Sequence, residues 1–197
     1  MPRWLGVDVG GKRKRFDVAL IDDRQLLDLR GGLSCAEVVD LVDACKPRAV
    51  AIDSPRCCAP DGHRSRVGER ELARAVCGIR WTPERARVDV DRYYGWVREG
   101  LALFEALSRR PVEVIEVFPT ASWTRWLGKR GRERRSSWSR RGLALLDLRN
   151  LPRRTNQDQR DAIAAAVTAR EHSRGETTTF AEIVVPRSSL RRASTRR

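Results

Sequence analysis

The sequence has no long hydrophobic run, and none of its apolar stretches approaches the ~20 residues that a membrane span requires. It also shows no internal repeat, and no signal-like apolar segment follows Met1. From these absences we expect a protein of the cytoplasm without a membrane partner.

Cysteine is sparse, and the five cysteines are an odd number that does not suit a disulfide framework. We therefore expect reduced thiols. Cys57, Cys58, His63 and Cys77 match no common zinc-ligand spacing, so the sequence does not favour a zinc site.

Basic residues are abundant: 40 Lys and Arg against 26 Asp and Glu give a net charge of +14. They cluster at 12–15, 129–135, 138–141 and 191–197. This excess predicts a nucleic-acid partner, with Lys12, Arg13, Lys129 and Arg130 as candidate contacts. Alternatively, the excess of positive charge arises from codon usage that favours arginine. The oligomeric state is undecided, and a dimer stays open.

The length of 197 residues and the 41% hydrophobic content fit one domain. We expect it to cover 1–187, with an irregular insertion at about 54–90 and a basic disordered tail at 188–197. The apolar patterns predict strands at 3–9, 15–21, 25–30, 48–53 and 112–118, the last ended by Pro119. Helices are expected from a capping box at Ser34 and Glu37 to Pro47, near 67–77, at 90–109, around 143–146 and at 156–173. This order predicts an α/β fold, a mixed sheet covered by helices.

Two predicted strands end in an acid, Asp8 and Asp53. If they are parallel neighbours, both acids lie at the edge where open α/β sheets place their ligands. Two carboxylates this close repel each other, and a divalent cation removes the repulsion. A turn acid is the simpler interpretation of either residue.

The helix at 156–173 carries Asp158 and Asp161 on a stripe with Ala165 and Thr168, whose small side chains would let it approach the sheet. Asp158 is explained almost equally well as an acid that complements the positive end of its helix. Glu116 is a fifth candidate, and it could equally pair with an arginine.

Carboxylate oxygens suit Mg²⁺ or Mn²⁺. A pair of such ions can activate water and stabilise the leaving oxygen of a phosphodiester. With a basic surface to hold the nucleic-acid backbone, the leading hypothesis is a metal-dependent nuclease.

Several blocks, in this order, resemble the domain-of-unknown-function family 429, whose members are predicted nucleases of RNase H-like fold. The blocks are "GVDVGGKRKRFDVALID", "VAIDSPR", "RVGERELARAVCGIRWTP", "VIEVFPTASW", "DQRDAIAAAVTA" and "AEIVVP". More distantly, the acids at 8, 53, 158 and 161 resemble those of RuvC-type resolvases.

The resemblance implies an RNase H-like mixed five-stranded sheet in the order 3-2-1-4-5, with strand 2 antiparallel. It also implies Asp8, Asp53 and Asp161 as metal ligands, with Asp158 and Glu116 as additions to the catalytic set. The block that contains Arg66 and Arg70 would face the substrate.

Two other classes stay open. The segment "DVGGKRKRFDVALID" is also similar to the first phosphate loop of the sugar kinase and actin superfamily, although such enzymes need two lobes. A nucleic-acid-binding protein without catalysis is the other alternative.

Overall fold

The structure is a computed structural model that describes residues 1–187. The predicted tail at 188–197 lies outside the described residues. The strands are β1 (Trp4–Val9), β2 (Phe16–Ile21), β3 (Leu26–Leu33), β4 (Ala49–Asp53), β5 (Glu113–Val117), β6 (Thr177–Phe180) and β7 (Ile183–Pro186). The helices are α1 (Cys35–Cys45), α2 (Val67–Ala75), α3 (Arg85–Val90), α4 (Gly95–Ser108), α5 (Pro119–Leu127), α6 (Arg135–Leu145) and α7 (Gln157–Ser173), with a 3₁₀ turn at Arg92–Tyr94 before α4.

The strands form one mixed sheet in the order β3-β2-β1-β4-β5-β7-β6. Its first five positions confirm the predicted order 3-2-1-4-5, with β2 antiparallel to β1 and β4 parallel to it. The predicted count of five strands is wrong, because the hairpin β6–β7 adds two strands beside β5. Each of these strands has four residues, which is too short for an alternating pattern to stand out.

Local signals explain where most helices begin. Ser34 and Glu37 form the predicted capping box at the start of α1. Asn156 and Gln159 form a second capping box at the start of α7. Helix α5 was not predicted, because Pro119 indicated only the end of a strand. Proline is also well tolerated in the first turn of a helix, and here it opens one.

The two faces of the sheet pack against different helices. Leu5, Val7, Val50 and Ile52 belong to a core shared with α1 and α4, whereas the residues that alternate with them belong to a core shared with α5, α6 and α7. The two cores give the layered α/β architecture that the sequence predicts.

Helix α7 lies very close to β1, and Gly6 permits this approach. A Cβ atom at Gly6 would be 2.1 Å from the carbonyl oxygen of Ala162 and 2.2 Å from the backbone nitrogen of Ala166. The prediction that small residues would let this helix approach the sheet is confirmed at this contact.

The segment 54–90 contains the helix expected near 67–77, observed as α2, and also the short helix α3. Among the described residues, no helix is long and apolar enough to cross a membrane.

Candidate active site

The register of the sheet places three acids side by side. Asp8 on β1 is directly opposite Asp53 on the parallel strand β4 and opposite Asp17 on the antiparallel strand β2. Directly opposite residues point to the same face, so all three carboxyl groups lie on the side covered by α7. Asp8 and Asp53 therefore meet at the strand ends, as predicted.

The carboxyl groups of Asp8 and Asp53 are half-buried, and they are close enough that a proton held by one can form a hydrogen bond to the other. Burial, followed by repulsion from Asp161, Asp158 and Asp17, raises the pKa of Asp8 to about 8. Burial and the charge of Asp8 raise the pKa of Asp53 as well. At neutral pH the pair thus retains a proton that two isolated aspartates would release.

Asp161 reaches the same place from α7 and is only 2% exposed. Its Oδ1 accepts hydrogen bonds from the indole nitrogen of Trp123 at 3.0 Å and from the amide of Gln157 at 3.0 Å, and Oδ2 pairs with Arg135 at 2.8 Å. Burial raises the pKa of Asp161, while Arg135, Gln157 and Trp123 act in the opposite direction. These partners hold the carboxylate in a fixed orientation.

Asp158, one turn earlier on α7, forms an ion pair with Lys14 from the hairpin between β1 and β2. The hydrogen bond to Asp158 raises the pKa of the Lys14 ammonium. Each acid from the helix therefore has a cationic side chain as its counter-ion.

Within residues 1–187, no three Asp, Glu, His or Cys side chains are arranged so that they could hold a metal ion as they stand. The ion pairs give a reason, because Lys14 and Arg135 occupy oxygens that a metal ion would need. The chemistry of the donors fits a divalent cation nevertheless. Asp8, Asp53 and Asp161 supply hard oxygen atoms, and the shared proton and the two counter-ions show that this group of acids needs positive charge beside it.

Glu116 lines the same cleft but does not lie side by side with these acids. It is paired in register with Ile52, whose side chain belongs to the opposite core, so Glu116 points away from the face that carries Asp53. Its carboxylate is 3% exposed and is bound by Arg66, with 2.8 Å between Nη1 and Oε2. The structure thus shows the alternative given for Glu116, a pair with an arginine.

Arg66 is buried as well, 3% exposed, and bridges Glu116 to the fully buried Glu69. Arg66 lines the cleft, but its guanidinium is engaged by these two carboxylates, and its contact with a nucleic acid stays a prediction. Arg70 is half-buried and donates to the carbonyl and hydroxyl oxygens of Ser65 at 2.8 and 3.0 Å.

The remaining predicted contacts are exposed. Lys12 and Arg13 lie in the hairpin turn that also carries Lys14, and Lys129 and Arg130 follow α5. Arg130 lines the same cleft as the acids. These positions remain compatible with binding to a phosphate backbone.

The acids open into a cleft of about 640 Å³. Its lining includes Asp8, Asp53, Asp158 and Asp161 as well as the cations Lys14, Arg130 and Arg135. A cleft lined by both acids and basic side chains can hold metal cations on the acids and a phosphate group on the basic side chains.

Sequence interpretation missed Asp17, Lys14, Arg135, Trp123 and Gln157. Two of them had a usable signal: Asp17 follows from the hairpin register that pairs it with Asp8, and Gln157 lies one helical turn before Asp161. Arg135 had none, since 26 residues separate it from Asp161.

The order and directions of the strands define an α/β protein of RNase H-like fold. The chain belongs to the family described as "Protein of unknown function (DUF429)", whose family model matches residues 6–184.

The solved structures that are similar to this chain include two of the protein RuvC. Thermus thermophilus RuvC in complex with a Holliday junction substrate has a TM-score of 0.52 and 17% identity, with 89% of this chain and 96% of that chain covered. A second structure of T. thermophilus RuvC has a TM-score of 0.49 and 16% identity, with 88% and 96% covered. No curated protein matches the sequence. At these identities the likeness concerns the fold.

Proposed function

We propose that this protein is a metal-dependent nuclease that hydrolyses phosphodiester bonds of DNA or RNA by a two-metal mechanism. The observation that carries the proposal is the meeting of Asp8 and Asp53, from adjacent parallel strands, with Asp161 from α7 in one cleft. RuvC, which shares the fold, was solved with a Holliday junction substrate, and this supports a nucleic acid as the partner.

Asp8, Asp53 and Asp161 would hold Mg²⁺ or Mn²⁺, with Asp158 as a further oxygen donor. When bound, such ions activate water and stabilise the leaving oxygen of a phosphodiester. The protein's own contribution is to orient the ligands. Trp123, on α5, donates a hydrogen bond that fixes the orientation of the Asp161 carboxylate. The close contact of α7 with Gly6 sets the distance between α7 and β1.

Lys14 and Arg135 have a second task in this proposal. They neutralise Asp158 and Asp161 in the metal-free protein and line the cleft in which the substrate would lie. Once cations occupy the carboxylates, both side chains become available to bind phosphate oxygens. Lys12, Arg13, Lys129 and Arg130 would extend this basic surface along the backbone of the nucleic acid.

The test is a cleavage panel of single strands, duplexes, RNA–DNA hybrids and four-way junctions, each with Mg²⁺, Mn²⁺ or EDTA. We expect wild type to cut at least one substrate with a divalent ion, and Asp8→Asn to lose most of that activity. The matched control is Asp40→Asn, because Asp40 is exposed on α1. It should cut as wild type does.

The alternatives give different results. A binding protein without catalysis cuts nothing in any ion and keeps or gains affinity on Asp8→Asn, because the substitution adds no negative charge to the cleft. A phosphotransferase-like domain is stabilised by ATP and does not bind nucleic acid. Either result would refute the nuclease. The cytoplasmic location stays a prediction, and the oligomeric state stays open.

A further inference from the structure

A second cavity, of about 360 Å³, lies beside the acidic cleft. It is lined by aromatic and basic side chains from the segment after β4: Arg64, Arg80, Trp81, Arg87, Tyr93 and Tyr94. We call these six residues the aromatic groove. The proposed metal-dependent cleavage gives these residues no role.

The rings of the groove are unusually exposed. Trp81 is 52% exposed and Tyr93 54%, whereas Trp4, Trp123 and Trp138 are at most 2% exposed in the core. Tyr94 packs edge-on against Tyr93, with ring centroids 5.0 Å apart, and steadies it. Trp81 and Tyr93 therefore each expose about half of a large aromatic side chain to solvent, as the residues of a stacking platform do.

The charges of the groove match an anion. Within residues 1–187, Arg64, Arg80 and Arg87 are exposed, and none of them has an acidic side chain within 4.0 Å. Arg80 instead lies over the ring of Tyr93, 5.9 Å from its centroid.

The nearby acids are engaged elsewhere in the segment. Glu84 accepts a hydrogen bond from the backbone of Gly62, Asp89 pairs with Arg85, and Asp91 accepts one from the backbone of Tyr93. None of these acids is a direct partner of Arg64, Arg80 or Arg87, so the three guanidinium groups can pair with an anionic ligand.

The loop that presents Trp81 is anchored to the sheet by a buried network. The backbone nitrogen of Thr82 donates to both oxygens of Glu69, at 3.1 and 3.0 Å, and Arg66 joins Glu69 to Glu116 on β5. This explains why an ion network without access to solvent borders the cleft: it sets the position of the loop. Both cavities are lined by Ile79 and Arg80, so the aromatic groove is continuous with the acidic cleft.

We propose that the aromatic groove binds unpaired nucleotides of the substrate. Trp81 and Tyr93 stack on the bases, and Arg64, Arg80 and Arg87 contact the phosphates. The inference deepens the proposed function, on which it rests, and names its substrate class: a nucleic acid with a single-stranded segment next to the bond that is cut.

The test measures affinity in EDTA, so that binding is separated from cleavage. Fluorescence anisotropy follows a labelled single-stranded oligonucleotide and a blunt duplex of the same length. Trp81→Ala and Tyr93→Ala should each weaken single-strand binding roughly 5- to 100-fold, because each removes one stacked base, and should change duplex binding little. Trp81→Phe keeps a ring and should retain most of the affinity.

Arginine variants test the phosphate contacts. Arg87→Gln should lower the salt dependence of single-strand binding by about one unit of slope. The matched control is Arg48→Gln, an exposed arginine at the opposite end of β4 from Asp53, which should leave the slope unchanged. Both side chains are exposed, and equal melting temperatures would show that the variants are folded.

The inference is overturned if Trp81→Ala and Tyr93→Ala bind single strands as wild type does, or if they lose equal affinity for the duplex. These results are distinguishable from failure of the proposed function. A protein that cuts no substrate but needs Trp81 to bind single strands refutes the nuclease alone, and a nuclease indifferent to Trp81 refutes the groove alone.

Discussion

Replacing Asp8 with asparagine should stabilise the metal-free protein and weaken its dependence on pH. The folded-state pKa of Asp8 is about 8, because the carboxyl group is buried beside other acids, against an ordinary value of 3.8. Folded protein therefore holds a proton that the unfolded chain releases above about pH 4. As pH rises through this window the free energy of unfolding falls, and above pH 8 no further loss from Asp8 is expected.

The magnitude follows from the size of the shift. Each pH unit between the two pKa values corresponds to about 1.36 kcal/mol. Between about pH 4 and pH 7 the free energy of unfolding of wild type therefore falls by roughly 4 kcal/mol at most because of Asp8. Asparagine does not titrate, and its amide can still donate a hydrogen bond to Asp53. Asp8 is partly exposed, which reduces the effect. We therefore expect the free energy of unfolding of Asp8→Asn at pH 7 to be about 2–4 kcal/mol higher than that of wild type.

Urea unfolding in EDTA at five pH values between 5 and 9 measures this difference. It should grow between pH 5 and 8 and then level off, while the Asp40→Asn control stays parallel to wild type. Excess Mn²⁺ should stabilise wild type, by about 2.7 kcal/mol at 100 times its Kd, and should stabilise Asp8→Asn much less. Parallel pH profiles for wild type and Asp8→Asn would refute the shared-proton arrangement.

Three further substitutions test the surroundings of the site. Gly6→Ala forces a Cβ into the backbone of α7 and should lower the free energy of unfolding by about 3 kcal/mol in urea titrations. The control Gly11→Ala, with nothing within 4 Å of its Cβ, should change the free energy of unfolding little. Similar losses in both variants would contradict the close packing at Gly6. Arg66→Met leaves two buried carboxylates without their partner, and we expect a loss of about 3–5 kcal/mol in the same assay; a loss below about 1 kcal/mol would show that the network does not support the fold. Arg135→Gln removes a cation that competes with a metal ion for the Asp161 carboxylate, and it should tighten Mn²⁺ binding several-fold by calorimetry. The control Lys129→Gln, on the exposed surface, should tighten Mn²⁺ binding less. Equal effects of the two substitutions would mean that only net charge matters.

Much of the fold could be predicted because its signals are local. The strands that end in Asp8 and Asp53 are short apolar runs, and the capping box at Ser34 lies within four residues of sequence. The parallel pairing followed from the helical crossover between them, and that pairing put the two acids opposite each other.

Other features depend on contacts between distant residues. Fifty residues separate Arg66 from Glu116, and neither position shows in sequence that the two side chains satisfy each other inside the protein. The tryptophans show the same limit. The structure buries Trp123, Trp126 and Trp138 in the core and leaves Trp81 52% exposed, a difference that depends on packing between distant segments.

The sequence by itself determined the order of the elements, the acids at the ends of β1 and β4, and the basic character of the chain, because periodicity, capping and charge act over a few residues. The tertiary structure alone decided which charges meet. It placed Lys14 and Arg135 on the acids of α7, turned Glu116 to the other face, and set Trp81 and Tyr93 beside the cleft. The physical reason is that burial and pairing depend on which surfaces the packed helices and strands bring together, and only the folded chain defines those surfaces.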